Sequence, residues 1–311
     1  MDLTKKIILS LVFLLFLPSI LIADVLDDEL PADTPVQVKE KARQVIGLGV
    51  ENQGIIKMTQ TMLRNGFSEN QMIRAYEILG EARKNGLPDE PVMNKLYEGV
   101  GKRVQSGNII MAMEKVKERY QVASQYAYRI NSDSEQAGIL TGHIAESLSA
   151  GMAGNDIDRI GEMFSRLESK NNKEKSSLEI QTFQTVKTMA RMGAESSSVV
   201  DTVQTALQTG YDQNKMKSLE KAFVAQARAR ANPSAVAESF TRGMRAGVSV
   251  DELGRPGYMN SGSAMGGNGS GSGLGSINGA GSQGNMGGSM GSRSGSGGSG
   301  RSAGGGGGRG R

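Results

Sequence analysis

The 311-residue sequence has no cysteine, no tryptophan and a single histidine. Without cysteine it can form no disulfide, offer no thiol nucleophile and carry no lipid-modified N-terminal cysteine. One histidine excludes a multi-histidine metal centre. No stretch alternates β-branched with polar residues, so strand signals are missing as well. Long apolar runs are scarce. The one run, residues 7–22, follows Lys5 and Lys6 and is broken only by Ser10, Pro18 and Ser19. It falls short of the roughly 20 apolar residues a permanent span requires. The expectation is a signal peptide over residues 1–23, cleaved after Ala23, and hence a periplasmic or secreted protein. An uncleaved inner-membrane anchor is the alternative.

Glycine is abundant, and its distribution divides the chain. Of 43 glycines, 25 lie in residues 254–311, among Ser, Asn, Met and isolated arginines. Such a segment cannot bury enough apolar surface to offset backbone ordering, so a disordered Gly/Ser-rich tail is expected. The tail also accounts for the basic balance. It holds Arg255, Arg293, Arg301, Arg309 and Arg311 and no acid, while residues 24–253 carry 29 basic and 31 acidic side chains. A nearly neutral body is poor ground for nucleic-acid binding. The expected organisation is a leader (1–23), a polar lead (24–35), a helical body (36–253) and the tail (254–311).

Within the body, glycine recurs in a pattern. Gly49, Gly66, Gly86, Gly151, Gly193, Gly210 and Gly247 are each followed by an apolar residue at +1 and another at +6. A glycine with positive φ ends a helix, and the residue after it precedes the next N-cap. The apolar residue at +6 falls at the fourth helical position and packs back as a hydrophobic staple. Ser68-x-x-Gln71 and Ser249-x-x-Glu252 add capping boxes, Asp212 is a candidate N-cap, and Pro88-Asp89-Glu90-Pro91 suits a first helical turn. Ser132-x-x-Glu135 reads as a further capping box after a long helix over 109–130. Gly107 reads as a weaker corner and residues 170–177 as an internal loop.

Ala, Glu, Lys, Gln, Met and Leu dominate between the corners. Apolar stripes at helical spacing include Met72, Tyr76 and Leu79, then Ile157, Ile160 and Phe164, then Val199, Val203 and Leu207. Gly49 and Gly66 lie 17 apart, as do Gly193 and Gly210, which hints at duplication. The fold class expected is all-α: an array of short helix hairpins, α-solenoid-like, rather than a closed bundle.

Chemistry is thinly represented. His143 reads as a helix-surface or groove residue. The carboxylates show no acid–base or calcium-loop spacing, and the run Gly304–Gly308 lacks the lysine, strand and helix of a phosphate loop. The tail methionines Met259, Met265, Met286 and Met290 are too widely spaced to make a good Cu(I) chelator. No cofactor, metal or catalytic residue is therefore expected. Tyr120, Tyr126 and Tyr128, on one predicted helix, are the candidate partner surface. The functional expectation is an exported non-catalytic adaptor that binds a protein or peptide in the cell envelope. The alternatives are a glycine-rich surface or matrix protein whose tail is the working part and, below that, an enzyme with an unrecognised site. Membrane contact is expected only through an uncleaved leader.

Overall fold

In the computed structural model, residues 29–167, 171–229, 232–255 and 258 are described. The leader and nearly all of the tail lie outside them. Among the described residues there are twelve helices and no strand. They are α1 (Val36–Gly47), α2 (Asn52–Arg64), α3 (Glu69–Lys84), α4 (Glu90–Gly101), α5 (Ser106–Ile130) and α6 (Ser134–Ser149). There follow α7 (Gly154–Arg166), α8 (Asn172–Arg191), α9 (Ser196–Gln208), α10 (Gln213–Arg228), α11 (Pro233–Arg245) and α12 (Val250–Leu253).

All seven glycines of the repeated pattern have positive φ, between 67° and 103°, and no other described glycine does. Each closes its helix by the same hydrogen bonds. At the second corner Gly66 N–H donates to Leu63 O (3.2 Å) and Phe67 N–H to Met62 O (3.1 Å). These are the paired bonds of a Schellman motif, which satisfy carbonyls the helix leaves open. The staples are buried pairs: Val50 with Ile55, Phe67 with Met72, Leu87 with Val92, Met152 with Ile157 and Ala194 with Val199. Ser68 and Gln71 form the full capping box, and Asp212 accepts from Lys215 N–H at 2.8 Å.

Three local expectations are corrected. Gly107 lies inside the first turn of α5, and the corner before it is at Arg103, the one non-glycine residue with positive φ (57°) among those described. Arg103 N–H donates to Val100 O and Val104 N–H to Gly99 O, the same closure with a side chain where the others have none. Val104 and Ile109 complete the +1 and +6 positions, so spacing rather than glycine itself carries the motif. The N-cap of α6 is Asp133, accepting from Gln136 N–H at 3.0 Å, because Ser132 is displaced by the side chain of Asn131, which receives Asp133 N–H. Residues 172–177 are the start of α8, capped by Asn171; a polar stretch of good helix formers is stable there once its N-terminus is capped.

Packing follows chain order with a step of two. Helix α3 lies against α1 and α5; α8 lies against α6 and α10; α9 lies against α7 and α11. The two rows are tied by the hairpins between successive helices. Duplication is visible in the boundaries: α2 and α9 are both 13 residues, starting at 52 and 196, and α3 and α10 are both 16, starting at 69 and 213. Helix α5 keeps the step of two, against α3 and α7, and in addition takes its chain neighbours α4 and α6. At 25 residues it is about 37 Å long. Its first half belongs with α3, where Arg74 reaches Glu114 at 2.5 Å and Lys117 pairs with Glu81. Its second half belongs with α7, where Arg129 meets Asp158 at 2.7 Å and Ile130 presses on Gly161. With α4 and α6 packed on it as well, this one helix serves both rows.

Candidate functional site

Helices α4 and α6 both pack against α5, and a cleft of about 800 Å³ lies between them. Asn94 and Glu98 of α4 line one side, Glu146 and Ser149 of α6 another, and Ala190 and Arg191 of α8 close it. Glu146 takes Arg191 at 3.0 Å and stands 3.9 Å from Lys187. Glu98 is held by Lys95 at 2.5 Å and Lys102 at 2.6 Å. Those bonds, the Lys102 one first, drop its carboxyl to about 2, so it stays ionised at any ordinary pH. The face continues along α8 onto α10, where Glu220 receives Gln181 at 2.8 Å, Gln184 at 3.3 Å and the Thr188 hydroxyl at 2.7 Å. Beyond it a second cleft, of about 470 Å³, runs past Lys217, Lys221 and Arg228.

His143 stands on α6 between these two groups of charges. Burial, then the Lys187 ammonium, lower its imidazole to about 4 against the pull of Glu146 and Glu220, so it is neutral at neutral pH. The Ser147 hydroxyl, four residues on, donates to the His143 backbone carbonyl at 2.8 Å. No Ser–His hydrogen bond of the kind that activates a nucleophile is formed there. Among the described residues no group of three His, Asp or Glu side chains could hold a metal ion. What this face offers is fixed charge, held in place by cross-helix bonds.

The three tyrosines do not form one cluster. Tyr120 is buried; burial raises its phenol pKa, the Glu146 and Glu90 carboxylates add to that, and the Arg119 guanidinium opposes it. Tyr126 is half-buried, with its hydroxyl against Gly154 and the Arg129 guanidinium 4.8 Å from its ring centre. Tyr128 is 52% exposed on another side of α5. Sequence reading missed Glu146, Lys187, Arg191 and Glu220 because their partners lie 32 to 45 residues away on neighbouring helices. Local spacing carries no signal for contacts that only packing creates. Compared with protein-family models, curated proteins and solved structures, the chain matches none.

Proposed function

We propose that this chain is an exported, non-catalytic adaptor that holds a protein or peptide partner on the face made by α4, α6 and α8. The observation that carries this reading is the cleft opened by α5. It is walled by charged side chains ordered on three helices, Glu98 of α4, Glu146 of α6 and Arg191 of α8. Stacked helix pairs present extended surfaces of this kind, and preset side chains lower the ordering cost of binding. Export rests on residues 1–23; no described helix is long and apolar enough to cross a membrane.

The test exchanges the pair at the cleft. In Glu146→Arg with Arg191→Glu the ion pair persists while the local field reverses, so helix packing should be retained in a thermal melt. Cross-linked capture from envelope extract should recover one stoichiometric partner with the native chain and lose it with the swapped chain. Equal recovery by both would reject this face as the binding surface. Recovery that depends only on residues 254–311 would transfer the function to the tail.

A further inference from the structure

A second cavity, of about 580 Å³, lies where the end of α5 and the starts of α6 and α8 meet. Its walls are polar: Asn131, Asp133, Gln136, Ser176 and Lys175 among them. At its floor is Glu179, only 1% exposed. Its Oε2 accepts the Asn131 side-chain amide at 2.7 Å, and the same amide donates to Ser176 Oγ at 2.8 Å. Glu179 Oε1 is buried with no hydrogen-bond partner. A buried carboxylate oxygen left without a donor carries an uncompensated desolvation cost. Lys175 acts on this carboxyl through its charge but makes no hydrogen bond to it.

We propose that this cavity binds an alkylammonium group, which donates to Glu179 Oε1. Three features select that chemistry. Two helices begin at the cavity, which would suit an anion, but their N-termini are already served: Asp133 accepts from Gln136 N–H at 3.0 Å and Asn171 from Glu174 N–H at 2.7 Å. Helix α5 ends here without the Schellman closure of its neighbours; Asn131 turns extended after a single bond to Ala127 O, so the negative end of a long helix faces the site. A guanidinium fork wants both carboxylate oxygens, and Oε2 is taken; a compact ammonium needs only one. Oε1 is itself shielded, so an incoming ammonium displaces lining side chains. Lys175 is the long, half-buried one that also carries competing charge.

The test follows the Asn131 side-chain amide resonances of the full chain during titration with n-butylammonium chloride. Saturable shifts with a Kd on the order of 1 mM are expected, the range of one charge-assisted contact. Glu179→Gln, which keeps the shape and the Asn131 contact, should weaken binding at least about tenfold. Lys175→Met should tighten it by removing the competing cation. 1-Butanol, of the same shape without charge, should give no saturable shift. Equal affinity in native and Glu179→Gln protein, equal binding of 1-butanol, or absence of saturation would each overturn the assignment. A parallel titration with an N-acetyl-lysine amide separates the sources. If it binds as the free amine does, a partner's lysine is the ligand; if only the free amine binds, a small amine is.

Discussion

Residues 52–84 and 196–228 are two renderings of one design, helices of 13 and 16 residues joined at a positive-φ glycine, whereas α5, between them, follows another rule. In the paired segments geometry is decided within a few residues: a glycine closes one helix, a staple aims the next and a cap begins it. At α5 geometry is decided by approach. Of the described glycines where an added Cβ would come within 3 Å of another atom, three touch α5. Gly99 would meet Ile109 at 2.6 Å, Gly154 would meet Tyr126 at 2.5 Å and Gly161 would meet Ile130 at 2.9 Å. Glycine therefore has two separate uses in this chain, backbone conformation at the corners and backbone proximity at the joint.

Substitutions can separate the two uses. The largest effect is expected at the joint. Gly99→Val and Gly161→Val force a branched side chain into Ile109 and Ile130 and should each cost about 3 kcal/mol in urea unfolding. Gly138→Ala, a helical position with nothing within 4 Å, should instead stabilise by up to about 1 kcal/mol. If all three behaved alike, close approach would not be what distinguishes α5.

The corners come next. Gly86→Ala and Gly210→Ala have open space but positive φ, so each should cost about 1–2 kcal/mol, and by similar amounts because the two corners are equivalent. Removing a cap from either copy, Ser68→Ala or Asp212→Ala, should cost about 1 kcal/mol. Arg103→Gly should run the other way, gaining about 0.5 kcal/mol. It relieves a left-handed side-chain conformation at the one described positive-φ corner that lacks glycine, less the entropy glycine adds to the unfolded chain. A loss on Arg103→Gly would show that the arginine side chain holds that corner in some further way.

The last prediction is a slope rather than a step. Burial raises the Glu179 carboxyl, with Asn131 and then Lys175 opposing in part. A raised carboxyl contributes stability that is whole below its unfolded value of about 4.3 and is lost as pH climbs through the folded value. Glu179→Gln should therefore match the native chain near pH 4 and become the more stable of the two as pH rises. Equal stability at both ends of that range would mean the carboxyl is not desolvated as the structure has it.

Much of the fold was legible because its signals are local. The seven glycines needed only +1 and +6 neighbours to be read, and all seven corners are where that spacing puts them. The misreadings were of the same scale. Gly107 drew attention from Arg103 because an arginine in the left-handed region leaves no compositional trace, and Ser132 outranked Asp133 because the Asn131 side chain that decides between them acts out of view of the pattern. The candidate site was scarcely legible. Glu146 with Arg191 and Glu220 with Thr188 are pairs of unremarkable helix-surface residues until two helices are laid side by side.

What the sequence determined by itself is the list of helices, their joints and the all-α array they build, since capping, φ sign and helical periodicity are properties of short stretches of chain. What tertiary structure decided is which row each helix joins and where the array opens. That depended on α5 being long enough to carry α4 and α6 as well as α3 and α7, and on glycines at 99, 154 and 161 that let α4 and α7 come close to it. The cleft between α4 and α6 and the buried Glu179 near the end of α5 both lie where α8 is laid beside helices distant from it in sequence, an arrangement that no short stretch of chain encodes.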